Sequence, residues 1–134
     1  EAEALLDAAL SIRPRNGEWL TARGAAREAR GNEGWAEDDY RAAVAVAARN
    51  VAAYDALSAL LRNAGKTQEA DEVAARGREA ADRDEQLRDA LRSFHRNPAS
   101  AENAQALADV LRAGGREAEA EHVLGRSALL REEP

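Results

Sequence analysis

The sequence predicts an all-α fold, an α-solenoid of stacked helix–turn–helix units. Three observations carry that expectation. Sixty of the 134 residues are apolar, and 34 of these are alanine. The β-branched and aromatic residues that strands favour are scarce, while alanine, leucine, arginine and glutamate, all good helix formers, dominate. The chain also repeats itself at a spacing of 34 residues. GNEGWAEDDYRAA, from Gly31, and GKTQEADEVAARG, from Gly65, place Gly31 on Gly65, Ala36 on Ala70 and Ala43 on Gly77. A third stretch, GREAEAEHVLGRS from Gly115, puts Ala120 and Ser127 at the same offsets. One such unit cannot bury its apolar faces alone, whereas stacked units share a continuous core.

Residues 1–16 read as a half unit, a single helix of the second type ended by Pro14, since proline cannot continue the ladder. Its apolar residues Ala2, Leu5, Leu6, Ala9, Leu10 and Ile12 spread over about 160°, wider than the ~100° stripe that an end helix needs. Leu5 and Ile12 form the edge with no neighbour. That edge is expected either to meet a further helix of a longer array or to self-associate with another molecule.

Residues 17–50 are the first full unit. Trp19, Ala22 and Ala26 make a more apolar stripe than positions carrying Arg23 and Arg27, so its first helix is expected to sit one register earlier than in the other units. Gly31 ends that helix in a left-handed cap. Residues 51–84 are the second full unit, with Leu57 and Leu61 preceding Gly65 by eight and four residues.

Residues 85–100 form a second half unit. Its Pro98 matches Pro14, Phe94 matches Leu10 and Ser93 matches Ala9. From Gln68 to Arg96 there is no proline and one glycine, and Val73, Ala80, Leu87 and Phe94 recur every seven residues. One helix over roughly 67–96, about 45 Å long, is therefore expected. Residues 101–134 are the third full unit, with Ser100 as N-cap and Asn103 where a complete capping box has glutamate.

The counts exclude several kinds of chemistry. With no cysteine, a disulfide framework, a thiolate zinc site and a cysteine nucleophile are out, and the chain suits cytoplasm and periplasm alike. A net charge of −6 lacks the basic footprint of a nucleic-acid binder. No apolar run approaches a membrane span. Eighteen arginines against the single Lys66 point to a GC-rich bacterial genome. The absence of methionine and a first residue of glutamate point to a processed chain or a fragment.

Nothing in the sequence composes a catalytic set. His95 and His122 stand far apart, without a second ligand at metal spacing, and read as surface histidines. The carboxylates Glu37, Asp38 and Asp39 read as a favourable charge at a helix N-terminus, and Asp82, Asp84 and Glu85 as a solvated face. Gly31-x-x-Gly34 has neither the lysine nor the preceding strand of a phosphate loop. No serine has a recognisable histidine and aspartate arrangement. No enzyme activity, cofactor or metal is expected. Tyr40 and Tyr54 are expected in the core, while Trp35 divides evenly between core and ligand groove.

The three units resemble the tetratricopeptide repeat family. The second carries Tyr54, Ser58, Leu61, Gly65, Ala70 and Gly77 at its signature positions. The first carries Leu20, Gly24, Gly31, Ala36, Tyr40 and Ala43, and the third Ala108, Leu111, Gly115, Ala120, Leu124 and Ser127. The resemblance implies a right-handed superhelix whose first helices line a concave face that binds a peptide or protein surface. That face would present Ala52, Asp55, Ala59 and Arg62 in the second unit and Glu102, Gln105, Asp109 and Arg112 in the third. The lysine and asparagine with which some members clamp a terminal carboxylate are missing; Thr21, Ala25 and Ala56 stand there instead. The function implied is a non-catalytic protein-binding scaffold, part of a larger bacterial protein, with cell-envelope assembly or exopolysaccharide export as its setting. The alternative is a substrate-presenting or regulatory region of a larger enzyme such as a glycosyltransferase.

Overall fold

The computed structural model describes residues 1–46 and 49–133. Among these residues the chain is all-α, with seven helices and no strand. They are α1 (Ala2–Ile12), α2 (Gly17–Ala29), α3 (Glu33–Val46), α4 (Val51–Asn63), α5 (Thr67–Arg96), α6 (Ala101–Ala113) and α7 (Glu117–Glu132). The continuous apolar phase between Gln68 and Arg96 does produce a single helix, α5.

Capping groups set the helix boundaries. Asn16, Asn50 and Ser100 each accept a hydrogen bond from the backbone N–H three residues on, at Trp19, Ala53 and Asn103. Such caps satisfy one of the unpaired donors of a helix start. Asn103 does not reach back to complete a capping box; its amide donates to the Ser93 carbonyl at the end of α5. Asn50 plays two parts, since its amide also donates to the Gly17 carbonyl and the Thr21 hydroxyl.

Three helices end in the same motif. Gly31, Gly65 and Gly115 have φ of 80°, 82° and 75°, a left-handed conformation that costs a residue with a Cβ roughly 1–2 kcal/mol. The following N–H groups, of Asn32, Lys66 and Arg116, return to the carbonyls of Arg27, Leu61 and Leu111. These are the long-range bonds of a Schellman cap.

The chain divides into two compact units, Glu1–Ala81 and Asp82–Pro134. In the first, Leu57, Leu60 and Leu61 of α4 pack with Ala36 and Tyr40 of α3 and Ala70 and Val73 of α5. A neighbouring cluster gathers Leu10, Leu20, Ala43 and Ala53. Small residues decide how closely the helices approach. A Cβ on Gly24 would lie 2.6 Å from Tyr40 Cε1, and one on Gly77 would lie 2.8 Å from Tyr54 Cβ. Ser58, buried among leucines, donates to the Ala70 carbonyl at 2.9 Å, which meets the requirement that a buried hydroxyl be paired. In the second unit, Ala90 and Phe94 of α5 pack with Ala104, Leu107, Ala108 and Leu111 of α6 and Ala120 of α7.

The structure corrects the expected register of α2. Its buried residues are Gly17, Leu20 and Gly24, while Ala22 faces solvent. The N-cap at Asn16 is 34 residues from that at Asn50, so α2 and α4 start in step. The helix did not rotate to avoid Arg23 and Arg27. These arginines stay inward and are paired there.

Candidate functional site

Two kinds of surface are candidates for function: the solvent-facing stripes of α4 and α6, and a recurring five-residue position between helices.

Ala52, Asp55, Ala59 and Arg62 on α4 are all exposed, as are Glu102, Gln105, Asp109 and Arg112 on α6. Within each helix the spacing of three, four and three residues holds them to one stripe. Some are already engaged. Arg62 pairs with Asp71 at 2.8 Å, Arg112 with Glu117 at 3.0 Å, and Gln105 donates to Asp109. Asp55 and Glu102 hold no ion pair among the described residues. The stripes lie in different units of the chain.

The second candidate is one structural position filled in three ways. In the first unit, the position is made by Glu3 and Asp7 of α1, Arg23 and Arg27 of α2 and Asp39 of α3. Arg23 donates to Asp39 through Nε at 3.0 Å and Nη2 at 2.7 Å, and Arg27 adds a bond to Asp39 Oδ2 at 2.9 Å. The same arginines reach Asp7 at 2.7 Å and Glu3 at 3.0 Å, and Arg30 joins Glu3 at 2.9 Å. The Asp39 side chain is only 5% exposed, yet the two arginines give it three charge-assisted donors. The hydrogen bond to Asp39 raises the pKa of Arg23, outweighing the opposing effect of burial, and Asp7 adds to the rise.

Thirty-four residues on, the position is occupied by Glu37, Arg41, Leu57, Leu61 and Val73. The three inner members are now apolar and buried. Charges close the top: Arg41 pairs with Glu37 and with Glu69, and Lys66 lies 3.8 Å from Glu37. The hydrogen bond to Glu69 and then that to Glu37 raise the pKa of Arg41, and Arg41 in turn lowers that of Glu69.

In the second unit, 84 residues from the first version, the five residues are Leu87, Leu91, Leu107, Leu111 and Val123. All are apolar, and leucine stands where Arg41 stood. Glu119, the counterpart of Glu69, pairs instead with Arg116 of its own turn. No charged lid forms. An apolar groove of about 310 Å³ remains, with Ala118, His122 and Arg116 on its margin.

Tyr40 is buried, and burial, then its 2.7 Å hydrogen bond to Glu28, raises the pKa of its hydroxyl. Tyr54 is half-buried against the α4 cluster. Trp35 is exposed, with the Arg27 guanidinium 5.4 Å from its ring centroid. His95 and His122 are exposed. Among the described residues no three histidine, aspartate or glutamate side chains group as a metal site, and no helix is long and apolar enough to cross a membrane.

Asp39, expected as one of three carboxylates at a helix start, is instead the buried centre of an ion network. The signal lay in the repeat: Arg23, Arg27 and Asp39 stand at the offsets of Leu57, Leu61 and Val73. Three charges in a row of apolar positions announce a mutual pairing. Compared with protein-family models and with curated proteins, the chain matches none.

Proposed function

We propose that the chain is a non-catalytic scaffold that binds a peptide or protein surface along the outer stripes of its first-type helices, as in the tetratricopeptide repeats it resembles. One observation carries the reading. The stripes of α4 and α6 repeat the same spacing in two units, and all eight positions face solvent. A helix face that packs against nothing in its own unit is available to a partner. Asp55 and Glu102 are the carboxylates there left for a partner's basic groups, in keeping with the net charge of −6. A bacterial cell-envelope assembly is the setting that the resemblance supplies.

The test is affinity capture from the source organism followed by mass spectrometry, with the variant Asp55→Arg/Glu102→Arg alongside. Both substitutions lie on exposed helix faces and leave the packing untouched. The expected result is a partner captured by the original chain and lost from the variant. Equal capture by both would remove the stripes from the function.

A further inference from the structure

We propose that the open apolar groove of the second unit receives helix α1 of another copy of the chain.

The groove is a position that paired charges occupy elsewhere in the chain. In the first version Arg23 and Arg27 fill it with guanidinium groups tied to Glu3, Asp7 and Asp39. In the second, the Arg41–Glu69 and Arg41–Glu37 pairs cover Leu57, Leu61 and Val73. In the third, Leu87 and Leu91 replace the lid, and about 310 Å³ stays open above Leu107, Leu111 and Val123. The described residues hold no buried side-chain nitrogen or oxygen without a partner. An occupant therefore needs aliphatic side chains on a face without charges that would lose their water.

Helix α1 has that face. Leu5 and Ile12 are 74% and 80% exposed, the highest values among the exposed large apolar residues. They lie two turns apart on one side, with the small, exposed Ala8 between them, so a groove wall can approach closely. The helix's charges are turned away: Glu3 is held by Arg27 and Arg30, and Asp7 by Arg23. The face is also patterned for burial. Two repeat lengths on, Leu5 and Ile12 correspond to Val73 and Ala80, which are buried. On the groove side, Arg116 and Glu119 already neutralise each other, so docking leaves no new charge unpaired.

The contact joins unlike surfaces, so a joined pair keeps one free α1 and one free groove. Mass therefore grows with concentration, and growth stops only where the contacts close into a ring. A three-turn helix covers less than the ~800 Å² per partner of a standard interface, so the association is weak and belongs at high protein concentration. It uses neither outer stripe and stands apart from the partner-binding reading above.

The test is sedimentation equilibrium on the whole chain and two variants, with helix content checked by circular dichroism. Leu5→Glu/Ile12→Glu removes the occupant. Leu87→Glu/Leu91→Arg rebuilds over the groove the charged lid that Glu37, Arg41 and Glu69 make over the second version. Ala118→Trp, which fills the groove from an exposed position, takes its place if the lid variant loses helix. The expected result is a wild-type mass that rises with concentration and two variants that are each monomeric. Mixed in equal amounts, the variants should give a two-copy species and nothing larger, because only one competent contact remains. A wild type that stays monomeric leaves the groove to a foreign partner and overturns the proposal. So does a groove variant that associates like the wild type, or a mixture that stays monomeric.

Discussion

The ion network of the first unit offers the sharpest test of how this fold is held. Asp39 is 5% exposed and accepts three hydrogen bonds from two arginines that are themselves 16–19% exposed. Asp39→Ala removes the acceptor and leaves two guanidinium groups facing a small cavity. Breaking a buried pair by deleting one partner costs about 3–5 kcal/mol. Arg23 and Arg27 retain Asp7 and Glu3, at 2.7 and 3.0 Å, which places the expected loss at the lower end, about 3 kcal/mol. A unit the size of Glu1–Ala81 has a total stability of about 4–12 kcal/mol. The substitution alone therefore removes a quarter or more of it.

The chain also contains its own apolar answer. Replacing Glu3, Asp7, Arg23 and Arg27 by leucine and Asp39 by valine copies the residues at Leu87, Leu91, Leu107, Leu111 and Val123. Exchanging a whole buried ionic set for apolar residues of similar volume is commonly neutral or stabilising by about 1–4 kcal/mol. The fivefold variant should match or exceed the wild type although it lacks every ion pair that the single variant merely disturbs. The assay is urea unfolding followed by tryptophan fluorescence, since both tryptophans, Trp19 and Trp35, lie in the first unit. With a slope near ~1 kcal/mol per molar urea, Asp39→Ala should lower the midpoint by about 3 M. A shift below ~1 M, or a fivefold variant that falls as far as the single one, would refute the reasoning.

Gly24→Ala and Gly77→Ala put a Cβ within 2.6 and 2.8 Å of Tyr40 and Tyr54 and should each destabilise by about 1–3 kcal/mol through overpacking, less the ~1 kcal/mol that alanine gains in a helix. Gly125→Ala, with nothing within 4 Å, should instead stabilise by up to about 1 kcal/mol; thermal melts compare the three. Ala36→Leu and Ala70→Leu enter sites with no exposed area and should cost about 1–3 kcal/mol, read as lower denaturation midpoints. Tyr40 has a folded pKa raised above its unfolded value by burial and by Glu28, so its contribution is complete below about pH 10 and is lost as pH rises through the folded value. Stability measured from pH 9 upward should fall less steeply in Tyr40→Phe than in the wild type.

Helix content, helix order and the three left-handed glycines were legible because each depends on local chemistry. Gly31, Gly65 and Gly115 announce their caps through spacing alone, and the unbroken phase from Val73 to Phe94 announces the length of α5. The register of α2 was not legible by the same logic. Counting apolar residues favoured Trp19, Ala22 and Ala26, because a charge at an inward position looks like an error until its partner is known. The partners Glu3, Asp7 and Asp39 come from other helices, and pairing across helices is invisible to a pattern read along one. The exposed stripes of α4 and α6 could be located from spacing. The apolar groove could not, since it is defined by a lid that fails to form.

The three versions of that five-residue position show how one backbone can serve different ends. The backbone requirement is only that five side chains from successive helices fill the same space. Arginines with carboxylates fill it with directional bonds, which fix α1, α2 and α3 against each other by geometry. Leucines with valine under the Arg41 lid fill it with aliphatic volume and leave the charges at the solvent boundary, where pairing is worth little to stability. Five aliphatic residues without a lid satisfy the inner packing and leave the outer side chains, Leu87 and Leu91, half-buried. Only the last arrangement has apolar area still to bury. The residues at two outer positions, those of Glu37 and Arg41, therefore separate a position bounded by paired charges from one that leaves aliphatic side chains half-buried.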